Sequence, residues 1–297
     1  MSLADFANLL VAAVLLAGIY AVMSVGMTVI YGVMKIVNLA HAGFMMLGAF
    51  FAFELYQRFH IDPIAAALLA FPVMFVFGIV VHWTMVKWLP RSDQPTLASL
   101  LLMFGLWLVL QNLGYLIWGN TDRSIYTPHT TSVLQLGPIT IPLVRLIVFA
   151  AAVGCVVFLE VVLNWTWFGR SVRALIQNRY AGQIVGVDDQ KTAGITFGLG
   201  IAFAGVAGAL LASMYSFNPD FGRPFLIRAF VIIVLGGLES VSGVAIGALV
   251  LALVETFSIL FVPAGYQLAI SFGLLVAVLV FLPGGIASLL GRTRRAA

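Results

Sequence analysis

Long apolar blocks, separated by short clusters of polar residues and glycines, make up most of this chain. A run of about 20 apolar residues is long enough to cross a bilayer as a helix. We therefore predict an all-α, polytopic transmembrane helical bundle of about eight or nine spans with interrupted helices, forming a single domain over residues 1–297. The candidate spans are Leu9–Met34, Phe44–Leu55, Ile64–Leu89, Thr96–Trp118, Leu143–Leu163, Thr192–Tyr215, Phe225–Leu238, Val244–Phe261 and Tyr266–Leu282.

Two of these blocks, Phe44–Leu55 and Phe225–Leu238, are too short to cross a hydrocarbon core of about 30 Å at about 1.5 Å per residue. A polar, glycine-containing break lies beside each of them, at Asn38–Gly43 and at Gly236–Gly243. Non-helical backbone is tolerated at membrane depth only where protein or water satisfies it, so paired breaks indicate a transport site. The alternative is that both breaks are ordinary turns near the membrane surface.

Charge adds a predicted orientation. The chain is 62% hydrophobic and only 9% charged, against about 25% charged in soluble domains. Its basic residues cluster at Lys87 and Arg91, in Gly169–Lys191, and near Arg292 and Arg295. The positive-inside rule places these clusters in the cytoplasm, with the N-terminus and a hydrated cap at 119–142 outside. Insertion topology accounts for the net charge of +4, so no nucleic-acid partner is predicted.

Polar residues inside the apolar blocks are the candidates for a translocation path, because such groups usually face the bundle interior or a cavity. Glu255 is the clearest case, since it lies well inside its block, whereas Arg145 is near enough to a span end to reach the surface. The alternative for each candidate is a structural role in helix packing. The full set is Asn38, His41, Gly43, Gln111, Asn112, Gly236, Gly237, Ser240 and Glu255.

Motifs for catalysis are missing from the sequence. It contains no G-x-x-x-x-G-K phosphate loop, no H-E-x-x-H, no Cys/His spacing for a metal and no G-x-S-x-G nucleophile elbow. We therefore predict no catalytic residues, no metal site, no cofactor bound by this chain and no ATPase site of its own.

One long polar segment, residues 164–191, interrupts the apolar pattern. Read as a helix over Gly169–Gly186, it places apolar side chains on one stripe, which is typical of docking to a partner or lying in lipid headgroups. A surface helix without a partner is the alternative. Gly186 is predicted to end the helix, and Asp188 with Asp189 to cap the next span. The stripe contains Val172, Leu175, Ile176, Tyr180, Ile184 and Val187.

Within this segment, Gln177–Gly186 is similar to the cytoplasmic loop of ABC importer permeases, whose pattern is E-A-A-x-x-x-G. Tyr180, Ala181 and Gly182 occupy the first three positions, and Gly186 is the motif glycine. Elsewhere, Tyr31-Gly-Val followed by Asn38-Leu-Ala-His-Ala-Gly resembles the signature of Liv-type permeases for branched-chain amino acids. Further similar motifs follow in the family's order as far as Ile286, and the predicted external N-terminus suits the H-type subunit.

The resemblance implies a permease subunit of a bacterial inner-membrane importer for branched-chain or related amino acids. It implies a homologous permease as a heterodimer partner, two cytoplasmic ATPase subunits that use ATP, and a periplasmic binding protein, all assembled with membrane lipid. The segment 164–191 would be the loop that couples to an ATPase. Its predicted coupling residues are Arg173, Gln177, Arg179, Tyr180, Ala181, Gly182 and Gly186.

Three other functions stay open at this point. The same importer class also includes carriers of urea, short amides or aromatic acids. A passive channel or an ion-coupled transporter would explain the paired breaks and Glu255, although it has no use for a cytoplasmic docking helix. A purely structural membrane protein explains neither the breaks nor the buried acid.

Overall fold

The computed structural model of the protein describes residues 2–91, 94–127, 132–238, 240–282 and 284–286. Glu239 of the second predicted break and Arg292 and Arg295 of the predicted basic clusters lie outside these ranges. The helices are α1 (Leu3–Met34), α2 (His41–Phe59), α3 (Pro63–Thr84), α4 (Pro95–Trp118), α5 (Leu143–Trp165), α6 (Trp167–Gln177), α7 (Arg179–Ile184), α8 (Asp189–Ala212), α9 (Gly222–Gly236), α10 (Val241–Ser258) and α11 (Gln267–Phe281). Short 3-10 helices cover Val86–Arg91 and Ala264–Tyr266, and strands β1 (Val133–Leu136) and β2 (Ile139–Pro142) form a hairpin.

The predicted class, a polytopic helical membrane protein, is confirmed. Within the described ranges, six helical segments are long and apolar enough to cross a membrane: α1, α3 with the 3-10 turn after it, α4, α5, α8 and α10. The other three predicted spans correspond to α2, α9 and α11, which have 19, 15 and 15 residues. The count of eight or nine spans is therefore not confirmed.

Helix α8 lies at the centre of the bundle. In its most apolar stretch of 18 residues, 94% of the residues are buried, against 28% in the corresponding stretch of α4 and 17% in that of α5. It packs against α1, α2 and α3. Its glycines allow the backbones to approach closely, as small residues do between membrane helices. A Cβ atom added at Gly208 would lie 1.8 Å from the Met45 carbonyl oxygen, and one added at Gly48 would lie 2.0 Å from the Gly205 carbonyl oxygen.

The β-hairpin marks one end of the bundle, which we call the hairpin end. It packs beside the first turns of α1, where the Asn8 side-chain amide donates to the Pro138 carbonyl at 3.1 Å and its oxygen accepts from the Thr140 amide at 2.9 Å. The hairpin lies in the segment 119–142, which was predicted to be a hydrated cap without strands. We call the opposite end, where α6 and α7 lie, the α6 end.

The first predicted break doubles back inside the bundle. Helix α1 ends at Met34, Lys35 takes a left-handed conformation (φ 54°), and the chain is non-helical as far as Ala40. The His41 ring nitrogen Nε2 then lies 2.7 Å from the Met23 carbonyl, about 16 Å back along α1 from its end. An ordinary surface turn does not account for this path, although His41 and Gly43, predicted to be part of the break, already belong to α2.

The second predicted break is a tight turn between α9 and α10. The Ser240 amide donates to the Gly237 carbonyl at 3.1 Å, and the Ser240 hydroxyl accepts from the Gly243 amide at 3.0 Å, which caps α10. Gly237 has φ 98°, a conformation that favours glycine. Gly236 and Gly243 are helical and in close backbone contact. The alternative of an ordinary turn therefore describes this break.

Candidate functional site

Glu255 of α10 is the buried acid at the centre of a four-helix polar cluster near the hairpin end. Its side chain is 2% exposed, and its two carboxylate oxygens accept from Arg228 Nε at 2.9 and 3.1 Å. The hydroxyls of Tyr20 and Ser271 also donate to this carboxylate. Helices α1, α9 and α11 thus each supply one partner to α10, and the carboxylate is fully satisfied.

Glu255 was predicted from the sequence, whereas Tyr20, Ser271 and the role of Arg228 as its ion-pair partner were not. A signal for Arg228 exists, because it is a cation within the apolar block Phe225–Leu238, and buried charges occur in pairs. Tyr20 and Ser271 carry no such signal, because hydroxyl side chains are common in membrane helices.

A cavity of about 530 Å³ opens beside this cluster. Arg145, Arg228 and Glu255 are its charged lining residues, and Tyr20 and Tyr215 also line it. Arg145 belongs to α5, is exposed, and makes no ion pair within the described ranges. The remaining wall is largely apolar and consists of Leu9, Ala12, Leu16, Met214, Phe225 and Ile259, together with Thr256 and Gln267.

The other predicted path residues do not join Glu255 at this cavity. Asn38 is fully buried in the α1–α2 break, and neither polar atom of its side chain has a partner among the described residues. The nearby His41 makes a hydrogen bond between its Nε2 and the Met23 carbonyl, and its Nδ1 has no partner among the described residues. Gly43 faces α4, because a Cβ atom at that position would lie 3.0 Å from Leu110 Cδ1.

The side chains of Gln111 and Asn112 do not reach the cavity together, because they lie on different sides of α4. The Gln111 amide donates to Asp220 Oδ1 at 2.6 Å, which ties α4 to the connection before α9. Asn112 is exposed and its amide donates back to the Leu108 carbonyl at 2.8 Å, so it lies on another side of α4. Gly236, Gly237 and Ser240 form the turn at the α6 end. A path role for these residues stays a prediction, and only Glu255 lines the charged cavity.

The predicted docking segment is two helices, so the expectation of one helix over 169–186 is wrong. Asn178 (φ −158°, ψ 106°) separates α6 from α7, and its side-chain oxygen accepts from the Ala181 amide at 3.0 Å. Asparagine favours such caps over helix interiors because its side chain replaces a backbone partner. The single apolar stripe divides accordingly: Val172 and Leu175 are buried, whereas Tyr180 of α7 is 75% exposed.

Helix α7 is short but firmly held. Arg179 donates through Nε and Nη2 to one oxygen of Asp189, at 3.0 and 2.6 Å. Gly182 packs on α6, since a Cβ atom there would lie 3.2 Å from Leu175 Cδ2. On α6, the Arg173 guanidinium donates to the Leu163 carbonyl. The neighbouring Gln177 and Ala181 are exposed, so this fixed surface presents both polar and apolar groups.

The predicted end of the segment is confirmed. Helix α7 stops at Ile184, and Gly186 takes φ 89°, a conformation that favours glycine. The Asp188 side chain accepts from the Lys191 amide at 3.0 Å and caps α8. This backbone hydrogen bond is the main reason that the pKa of the exposed Asp188 carboxyl lies below its usual value.

Apolar helices long enough to span a membrane, a charged cavity and an exposed helix pair at one end describe a polytopic membrane protein. Residues 9–279 match the family model described as "Branched-chain amino acid transport system / permease component". The chain therefore belongs to this family of membrane permeases, as the resemblance predicted.

Several similar proteins are named as permeases of branched-chain amino acid transport systems. The chain is 27% identical over 288 residues to the high-affinity branched-chain amino acid transport system permease protein LivH of Escherichia coli K12, covering 92% of both chains. It is 28% identical over 280 residues to BraD of Pseudomonas aeruginosa, covering 90% of this chain and 91% of that protein. A probable LivH of Methanocaldococcus jannaschii is 25% identical over 288 residues, covering 92% and 90%. No solved structure matches the chain.

Proposed function

We propose that this chain is a permease subunit of an ATP-binding-cassette importer that carries branched-chain or related amino acids across a bacterial inner membrane. Membership of the permease family supports the transport role. The observation that carries the proposal is the exposure of α7: Tyr180 and Ile184 on this helix, and Val185 directly after it, are each more than 70% exposed. An ion pair between Arg179 and Asp189 fixes the helix. Exposed apolar side chains on a rigid polar segment fit docking to a partner protein.

The partner at α7 is one of two cytoplasmic ATPase subunits. ATP binding and hydrolysis there would move α7, and the packing of Gly182 on α6 would pass that movement to the bundle. A homologous permease subunit completes the pair as a heterodimer, and a periplasmic binding protein delivers the substrate. In this assignment the chain binds no cofactor, and ATP is used by the partner subunits.

The orientation follows from the same assignment. Helices α6 and α7 lie in the cytoplasm together with Lys87 and Arg91, in agreement with the positive-inside rule. The hairpin end, which includes the start of α1, then faces the periplasm, where the binding protein would approach the charged cavity. Helices α2, α9 and α11 would complete the nine predicted spans.

An ion-coupled transporter is the less supported function. A group that carries protons must release and accept them during transport, whereas Glu255 accepts hydrogen bonds from Arg228, Tyr20 and Ser271 at once. This satisfied carboxylate supports a structural or orienting role rather than a proton carrier.

Substitution of Ile184 with Glu tests ATPase docking. The side chain is 72% exposed, so the chain should still insert and fold, while the buried charge should weaken ATPase association about ten-fold or more. Leu136→Glu is the matched control, because Leu136 is an aliphatic residue with 57% exposure at the opposite end. Both variants are expressed with the complete transporter, and the ATPase that co-purifies is quantified. Equal ATPase recovery from both variants would contradict docking at α7.

A further inference from the structure

We propose that the cavity at the hairpin end binds the carboxylate group of the transported molecule. This inference rests on the proposed importer function and narrows its substrates to amino acids and other carboxylic acids with an apolar side chain. It excludes urea and short amides as preferred substrates. Three observations support the proposal: the excess positive charge of the cavity, the hydrogen-bond donors of its two arginines that have no partner among the described residues, and its apolar wall.

The cavity has an excess of positive charge. Two guanidinium groups, of Arg145 and Arg228, line it together with the single carboxylate of Glu255. Glu255 is within 2.9 Å of Arg228 and neutralises that charge, so the charge of Arg145 is left over. Arg145 is exposed, and its positive charge beside a largely apolar lining attracts an anion.

Both arginines keep hydrogen-bond donors for a ligand. Arg228 uses Nε for Glu255, and its Nη1 lies 3.4 Å from the Pro224 carbonyl. Its Nη2 makes no hydrogen bond to any described residue, and Arg145 makes none at all in the same ranges. A guanidinium fork matches a carboxylate because two parallel N–H groups meet two oxygens.

Glu255 acts as a positioning residue in this site. Its carboxylate holds the Arg228 guanidinium at Nε and is itself held by the Tyr20 and Ser271 hydroxyls. The arginine side chain, which is only 11% exposed, is thereby fixed before a ligand arrives. Pre-organisation of this kind lowers the entropy lost on binding.

The rest of the cavity suits an apolar side chain. Leu16, Met214, Phe225 and Ile259 are among its lining residues. Its volume of about 530 Å³ lies within the range of small-molecule sites, which is about 300–1,000 Å³. A carboxylate at the arginines and an aliphatic or aromatic group against this wall would use both parts of the lining.

A second cavity of similar size shows that volume alone does not indicate this ligand. It measures about 510 Å³ and lies between α3, α5 and α8, with Phe71, Cys155 and Phe203 among its lining residues. No charged residue is part of its lining. A carboxylate placed there would be buried without a partner, at a high cost in free energy.

The test uses the complete transporter in nanodiscs, purified without its binding protein, and measures ligand affinity by calorimetry. The probes are leucine, 4-methylpentanoate (the same carbon skeleton without the amino group), leucinamide (no carboxylate) and urea. We expect leucine and 4-methylpentanoate to bind, and leucinamide and urea to bind at least roughly ten-fold more weakly, because a buried donor left unpaired is unfavourable.

Arg145→Gln should weaken leucine binding about ten-fold or more, and Arg145→Lys should restore part of the affinity, because it restores the charge without the fork. The matched control is Arg58→Gln, since Arg58 is an exposed arginine near the same end that pairs with Glu54 at 2.8 Å. Leucine affinity should not change in this control.

Leucinamide binding as tight as leucine, an unchanged affinity in Arg145→Gln, or no binding of any probe would overturn the carboxylate site. The importer proposal fails by a different observation, namely that no ATPase co-purifies with the unmodified chain. A transporter that assembles and hydrolyses ATP but fails the ligand series would therefore refute only the carboxylate site.

Discussion

The two ends of the bundle place charge and apolar surface in opposite ways. At the hairpin end, Arg228 and Glu255 are buried and paired beside a cavity. At the α6 end, Tyr180 and Ile184 are exposed on a short helix between polar residues. Solvation alone favours neither arrangement, because charges prefer water and apolar side chains avoid it. The exposed apolar side chains at the α6 end are the basis of the proposed ATPase contact, and the charge of Arg145 beside the buried pair is the basis of the proposed ligand site.

Helix α8 is the element that the two ends share, so a disruption of its packing should affect both at once. We expect Gly208→Leu to abolish the folded protein, because even a Cβ atom at Gly208 would lie 1.8 Å from the Met45 carbonyl oxygen. The measurement is the yield of monodisperse protein after size-exclusion chromatography.

Gly105→Leu is the control for this substitution, because a Cβ atom at Gly105 of α4 would have no neighbour within 4 Å. The control variant should be recovered at close to the original yield. A well-folded Gly208→Leu variant would show that the close approach of α2 and α8 is not required.

Removal of one partner of the buried ion pair should have the next largest effect, and this effect should be limited to the hairpin end. Glu255→Leu should destabilise the protein by about 3–5 kcal/mol, because it leaves the Arg228 guanidinium buried without its partner. The double variant Glu255→Leu with Arg228→Met should regain most of that stability while leucine binding stays lost. Thermal unfolding in detergent measures the first effect, and calorimetry measures the second.

ATPase recovery distinguishes the two ends in the same variants. It should be normal for the double variant, since α7 is distant from the ion pair along the bundle. If the double variant instead binds leucine with unchanged affinity, the ion pair is a packing feature and the difference between the two ends disappears.

Asn178→Ala should have a smaller effect, limited to the α6 end. The substitution removes the cap that starts α7 and should cost about 1 kcal/mol of local stability. Hydrogen exchange of the α7 amides should become faster, and ATPase association should fall modestly. Asn178→Ser should retain most of the cap and show nearly the original exchange. Faster exchange at the hairpin end as well would indicate that the two ends are not independent.

The smallest effect concerns pH. Because the pKa of Asp188 is lowered in the folded protein, its cap on α8 is fully formed above the usual aspartate pKa and is lost as the pH falls through the lowered value. Protection of the first α8 amides should therefore decline only in acid, below about pH 4. Asp188→Asn should keep the cap and remove this pH dependence; a persistent dependence would assign the titration to another group.

The sequence predicted the class and the strongest chemical feature of this protein because both depend on composition. Long apolar blocks specify spanning helices, and a lone acid such as Glu255 within one of them indicates a buried partner. The end of α7 at Gly186 and the cap at Asp188 were also predictable, since both rest on local backbone preferences.

Tertiary relations were not predictable from the same pattern. Arg145 and Arg228 are 83 residues apart in numbering, yet both line one cavity, and this depends on the tertiary arrangement of the helices. The division of the docking segment at Asn178 also escaped prediction, because an apolar stripe continues across that residue. Asn112 was grouped with Gln111 as a sequence neighbour, yet adjacent residues on a helix point in different directions.

The central claim is that α7 contacts an ATPase subunit, and site-directed cross-linking tests it most directly. Cys155 is the single cysteine of the chain, so Cys155→Ala provides a background in which one new cysteine reacts alone. A thiol–amine cross-linker should join Ile184→Cys to the ATPase in the assembled transporter, with a yield that changes when ATP is added. Leu136→Cys at the hairpin end should give no such product. Cross-linking to the ATPase from position 136 but not from position 184 would contradict the account.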